Sequence, residues 1–336
     1  MIDLTNSPDV KWLRSCQLLV GKNGDGDVSE TTGILIDKLR IQFDITKTIY
    51  RTPNVATIKV HNLNGASEGR ILKEFNDIIL RGGYVGGGQK PLTIFRGNVV
   101  FGSAYREDTA RICEINAKDG DKDFHNAWVN FTLAAGHTDA DVIREVIKTF
   151  DATTLGHVHG ANLFKKHGRG RTYSTTARNV LDQIARDNKA EWSIQNGKLY
   201  MVPVDSTLPM PAFEISPETG LLGAPEANDK GITMKVLFDP RYLPGCKVWL
   251  KSNEVKTKRL KPAVEGQKRK LKGPNVPARL DPDGIYKVYA VHAIGDTRGD
   301  SAEQSWRAEL KCVALDAPIP SSKGMPQGTS PDGDIL

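Results

Sequence analysis

The sequence predicts a mainly β chain: two antiparallel barrel-like modules interrupted by a smaller α+β unit. Three observations carry this. Residues 39–64 alternate apolar and polar side chains, as strands with one buried face do. Residues 138–203 change to helical spacing and then to a hairpin. Four strand-like segments near the start are echoed in the same order near the end.

Bulk properties fit this reading. Thirty-two glycines and eighteen prolines supply the turns a β-rich fold needs. Apolar residues make up 39% and charged residues 26% of 336, enough for a packed core and for two or three domains. The formal charge of +6 is mild. Cys16, Cys113, Cys246 and Cys312 stand singly, without metal-site or disulfide-framework spacing, and read as small buried hydrophobes in a reducing compartment. The start lacks the basic and apolar regions of a signal peptide, and no run of eighteen apolar residues exists.

The first module is expected over 1–119. KWLRSCQLLV (11–20) reads as its first strand. The polar stretch after it holds Asn23, Asp25 and Asp27, the start of a calcium-loop pattern. Val28 replaces the required glycine and Ile34 the closing glutamate, so a solvated hairpin loop is expected. In 39–64, Leu39, Ile41, Phe43 and Ile45 alternate with Arg40, Gln42, Asp44 and Thr46. Pro53-Asn54 turns the chain, and Ala56, Ile58 and Val60 continue the pattern. A short helix over 66–75 leads to strands 77–81, 92–95, 98–106 and 111–118, with a glycine-rich turn over 82–88. These glycines join strand to strand. A phosphate cradle needs a strand-to-helix turn instead.

The α+β unit is expected over 120–206. Val142, Ile143, Val146, Ile147 and Phe150 form one stripe, with Thr138 or Asp139 as N-cap. Ala177, Val180, Leu181, Ile184 and Ala185 form a second, in a helix over 176–188. Asn196-Gly197 then marks a two-residue hairpin over 190–203, pairing Ile194 with Leu199 and Trp192 with Met201. His157, His159 and His167 read as loop histidines, since no carboxylate or cysteine nearby in sequence completes a metal site. Asn130 begins a glycosylation sequon that carries no weight without a secretory route.

The second module is expected over 207–316, with strands at 232–238, 246–251, 285–294 and 306–313 and a mobile Pro/Gly/Ser-rich tail over 317–336. Between the second and third strands, Lys251, Lys256, Lys258, Arg259, Lys261, Lys268, Arg269, Lys270 and Lys272 face only Glu254 and Glu265, a local balance of +7. This basic loop suits a nucleic acid or an acidic protein surface, and equally a solvated hairpin extension. It carries no interleaved aromatics for base stacking.

The echo ties the two ends together. ATIKVHNLN parallels GITMKVLFDP, DIILRGGY parallels CKVWLKSN, GNVVFGSAYRED parallels IYKVYAVHAIGDT, and RICEINAKDGD parallels WRAELKCVALD. Turn signals and alternation agree across all four, which implies a duplicated module.

Read together, FDITKT (43–48), PNVA (53–56), IKVHNLN (58–64), GGY (82–84), IFRG (94–97), the stretch 173–203, TGLLGAP (219–225), DP (239–240), LPG (243–245) and HAIGDT (292–297) resemble baseplate hub proteins of contractile-tailed, Mu-like phages. The resemblance spans almost the whole chain, apart from the Lys-rich insertion and the tail. It implies two tube-like barrel domains per subunit and a homotrimer presenting six of them, which adapts a six-fold tail tube to a three-fold spike. The implied partners are the tail tube protein, the central spike protein and neighbouring baseplate proteins. It allows transient passage of DNA through the lumen, without stable membrane insertion. The implied location is the phage tail baseplate, assembled in the host cytoplasm.

No catalytic, metal or cofactor residue is indicated. A peptidoglycan-cleaving tail enzyme would need paired carboxylates or a metal, and Glu107, Glu191 and Glu218 stand outside any such motif. A nucleic-acid-binding module would rest on the basic loop alone, in a chain otherwise nearly balanced in charge. Under the hub reading, Arg40, Gln42, Lys47 and Lys59 are the expected exposed ring or tube contacts.

Overall fold

A computed structural model describes residues 13–22, 33–85, 90–228, 231–251, 284–301 and 305–315. The first module runs through β1 (Arg14–Gly21), β2 (Ile34–Ile36), β3 (Ile41–Thr48), β4 (Val55–His61), α1 (Gly65–Lys73), β5 (Asp77–Tyr84), β6 (Leu92–Glu107) and β7 (Ala110–Lys118). The Asn64 side chain caps α1 by accepting from the Ser67 N–H at 2.7 Å.

The α+β unit comprises α2 (Asp121–Asn126), β8 (Trp128–Leu133), α3 (Asp139–Ile147), β9 (Thr154–Val158), β10 (Arg171–Thr176), α4 (Ala177–Asp187), β11 (Ala190–Gln195) and β12 (Lys198–Pro203). Thr138 opens α3 with a capping box closed by Asp141. Ile194 pairs with Leu199 and Trp192 with Met201, as the hairpin pattern requires. Asn196 and Gly197 both take positive φ, 55° and 73°, as a type I′ turn demands. The second module holds β13 (Phe213–Ile215), β14 (Glu226–Asn228), β15 (Gly231–Leu237), β16 (Lys247–Leu250), β17 (Ile285–Asp296) and β18 (Trp306–Ala314).

The strand echo has a direct counterpart in topology. The sheet order β4-β7-β6-β5 recurs as β15-β18-β17-β16, antiparallel throughout. Both long strands carry a bulge at the same place, between Val99 and Phe101 in β6 and between Val288 and Ala290 in β17. The two modules join edge to edge, because β3 pairs with β17 from Gln42↔Asp296 to Thr48↔Ala290. All these strands belong to one thirteen-stranded sheet. No pairing among the described residues closes either module into a barrel.

One apolar core runs under both modules, from Cys16 to Cys312. A second fills the α+β unit, and a small third one, around Ile49, Tyr50, Val202, Leu208 and Tyr289, lies where that unit meets the sheet. All four cysteines are free and buried. Burial pushes the Cys16 and Cys246 thiols up to about 12, which leaves them protonated and inert.

Several sequence expectations need correction. Segments 92–95 and 98–106 form one strand, because Arg96 and Gly97 continue the ladder with β5, opposite Ile79 and Ile78. Gly82 and Gly83 belong to β5, and residues 86–89 lie outside the described residues. His157 sits on β9 instead of in a loop, since β9 finds a parallel partner in β12.

Candidate assembly surface

The seam between β3 and β17 concentrates the polar chemistry of the sheet. Arg40 forks onto Asp296, with Nε to Oδ1 at 3.1 Å and Nη2 to Oδ2 at 2.6 Å. The Gln42 amide donates to the same Oδ2 at 2.9 Å, and its oxygen meets His61 Nε2 at 2.9 Å. Burial opposes ionisation of Asp296, yet the hydrogen bonds from Arg40, the Arg298 N–H and Gln42 hold its carboxyl below the usual range. Four residues before Asp296 on β17, His292 Nε2 lies 2.8 Å from Asp44 Oδ1, and this hydrogen bond raises the imidazole pKa.

The expected contact residues divide. Arg40 and Gln42 converge on Asp296, and Lys59 lies 3.5 Å from Glu114. Lys47 is not exposed. It keeps only 4% of its surface, and its ammonium donates to Asn196 Oδ1 at 2.7 Å. The reason is its phase: Lys47 continues the buried face of Ile41, Phe43 and Ile45. That phase was readable in the sequence.

Lys47 belongs to a buried network that fastens the α+β unit to the sheet, which sequence reasoning missed. Asp119, after β7, accepts the N–H groups of Asn196 and Gly197 at 2.5 and 2.9 Å. Asn54 donates to the Ile194 carbonyl at 2.8 Å, and Gln195 donates to the Thr48 carbonyl at 2.7 Å. Burial drives the Lys47 pKa down and the Asp119 pKa up, while each charge favours the other. A second buried lysine, Lys287 on β17, donates to the Pro203 carbonyl at 2.8 Å. Desolvation lowers its pKa to about 8, against the pull of Asp205 and Glu191.

A small cleft lies beside this network, lined in part by Asp77, Asn98, Asp119 and Gly197. Its carboxylates are engaged, Asp77 by Asn98 and Asp119 by the hairpin turn. The three glutamates weighed for catalysis stand apart. Glu107 ends β6, Glu191 lies on β11 with its pKa raised by burial, and Glu218 is exposed between β13 and β14. The His157 and His159 rings stack 6.2 Å apart, while His167 pairs with Asp139 at 2.7 Å. No cluster among the described residues is placed to hold a metal ion, and no described helix is long and apolar enough to cross a membrane.

Lys251 meets Glu214 at 3.3 Å. The rest of the basic loop, Lys256, Lys258, Arg259, Lys261, Lys268, Arg269, Lys270 and Lys272, lies outside the described residues, as do Asn23, Asp25, Asp27 and the tail.

No protein-family model matches the sequence, and no curated protein matches it. Solved structures do resemble it. The tail protein from Neisseria meningitidis MC58 aligns over 92% of this chain and 100% of its own, with a TM-score of 0.55 and 10% identity. The 43 kDa tail protein of prophage MuSo2 from Shewanella oneidensis aligns over 90% and 99%, with 0.54 and 8%. A chain of the half-lidded Francisella PdpA-VgrG complex aligns over 94% of this chain and 60% of its own, with 0.54 and 9%. This mainly β chain with an α+β insertion thus shares its fold with these tail-protein and PdpA-VgrG chains.

Proposed function

We propose that this chain is the structural baseplate hub of a contractile phage tail. The carrying observation is the doubled strand order, β4-β7-β6-β5 and β15-β18-β17-β16, within one chain. Two like modules per subunit give a homotrimer six, so that a three-fold assembly meets a six-fold tube on one side and a three-fold spike on the other. The subunit spans 1–119 and 207–316 as tube-like domains, with 120–206 as an outer α+β domain. Its partners are the tube, the spike and neighbouring baseplate proteins, in the virion. DNA passes through the lumen in transit. Arg40, Gln42 and Lys59 have accessible parts beside their intrachain partners and serve as ring or tube contacts, and the basic loop serves as a separate contact. The function requires no catalysis.

Light scattering on the full chain, alone and with the spike protein, tests this. A trimer is expected in at least one condition. A monomer in both overturns the reading. Cell-wall zymography is expected to stay blank, and clear lysis would favour an enzyme.

A further inference from the structure

The register places the two modules on one scale. Val99 and Val288 precede the two bulges, so Ser103, Ala104 and Tyr105 in β6 correspond to His292, Ala293 and Ile294 in β17. In β17 those residues face β3, as His292↔Thr46, Ala293↔Ile45 and Ile294↔Asp44. In β6 the same edge has no strand partner among the described residues, because β5 stops at Asp77↔Asn98. Burial records the difference. Tyr289 and Ala290 are each 5% exposed, whereas Val100 and Phe101, at the equivalent positions, are 52% and 50% exposed.

The complementary half of the missing seam sits at the other end of the sheet. β14 lies against β15 as β3 lies against β4: Glu226↔Thr233 and Ala227↔Ile232 correspond to Asp44↔Thr57 and Ile45↔Ala56. Among the described residues β14 pairs with β15 alone and so ends the sheet with an open edge. One chain therefore holds both halves of a junction that it already makes once internally.

We infer that β6 of one copy pairs antiparallel with β14 of the next, with Ser103, Ala104 and Tyr105 opposite Asn228, Ala227 and Glu226. The contact is heterologous, head to tail, and removes the two open edges when the ring closes. It rests on the ring reading above and names the strands that join its subunits. The hydrogen-bond phase follows from the internal seam. The Ile49 N–H reaches the Tyr289 carbonyl at 2.9 Å, so Val291, Ala293 and Gly295 turn their peptide groups toward β3. Gly102, Ala104 and Arg106 accordingly turn theirs outward from β6.

Two variants of the full chain test this. Tyr105 and Glu226 fall at a non-hydrogen-bonded pair, where Cα atoms about 4.5 Å apart suit a disulfide. Under mild oxidation, Tyr105→Cys/Glu226→Cys is expected to shift from monomer to a cross-linked oligomer on a non-reducing gel, while either single variant migrates like wild type. Ala104→Pro removes an outward N–H without touching the ladder to β7. It is expected to keep the wild-type circular dichroism and lose the oligomer in light scattering. If wild type is a trimer but the double variant stays unlinked and Ala104→Pro still assembles, the strand assignment is overturned and the hub reading stands. A wild-type monomer, alone and with spike, overturns both.

Discussion

The Lys47 ammonium on β3 lies 2.7 Å from the Asn196 side-chain oxygen at the β11–β12 turn, with almost no access to water. A cation from the sheet thus reaches the tip of the hairpin of the inserted unit, and the turn sits on Asp119, just past the end of β7. Removing one partner of a buried charge pair costs about 3–5 kcal/mol, because the other charge is stranded. Lys47→Met is expected to lose about 3 kcal/mol in urea unfolding. Lys47→Met/Asp119→Asn should lose less than the sum of the two single changes. Strict additivity would show that the two groups do not interact.

Gly295 is expected to tolerate no larger residue. A Cβ there would stand 2.1 Å from the Phe43 ring, which packs edge-on against Trp306 and Phe238 at 5.4 and 5.7 Å. Overpacking of this kind costs about 1–3 kcal/mol. Gly295→Ala should lower the urea midpoint accordingly, and Phe43→Leu in the same chain should restore part of it.

Lys287 gives a pH dependence with a defined sign. Its pKa is about 8 in the folded chain, against 10.5 for a free lysine. Between these values the unfolded chain binds more protons, so stability due to this group rises with pH from 8 to 10.5. The slope approaches about 1 kcal/mol per pH unit at most. Comparing denaturant unfolding at pH 8 and pH 10, Lys287→Met should show a smaller rise than wild type.

His292 works in the opposite direction. Its hydrogen bond to Asp44 raises the folded pKa, so its stabilising contribution is full below the unfolded value near 6.5 and is lost as pH rises through the folded one. NMR titration should find His292 above the model histidine value, and Asp44→Asn should move it down.

Much of this architecture was legible in the sequence because its signals are local. Period-2 alternation marked β3 and β4, and Asn196-Gly197 set the register of its hairpin. The echo anticipated a strand order that no single element reveals. What escaped was non-local. β9 reads as a loop because its partner, β12, runs parallel and lies far along the chain. The gap between segments 92–95 and 98–106 falls at Arg96 and Gly97, and Gly97 marks a close backbone approach: a Cβ there would lie 2.3 Å from the Lys118 carbonyl oxygen. Asp119 carried no motif, and its role appears only when the hairpin turn is laid across it. For the assembly surface, Arg40 and Gln42 were visible as polar positions of an amphipathic strand, but their shared partner Asp296 is 256 and 254 positions away.

That separation has a kinetic consequence. A ribosome adding about 5–20 residues per second needs roughly 13–50 s to travel from Gln42 to Asp296. Throughout that interval the outer edge of β3 has been made and its partner has not. The nascent chain must therefore shelter a bare strand edge until its own C-terminal part emerges. The seam makes this a high-contact-order fold, slow to complete, and identical neighbours on a polysome are the natural competitors for the same edge.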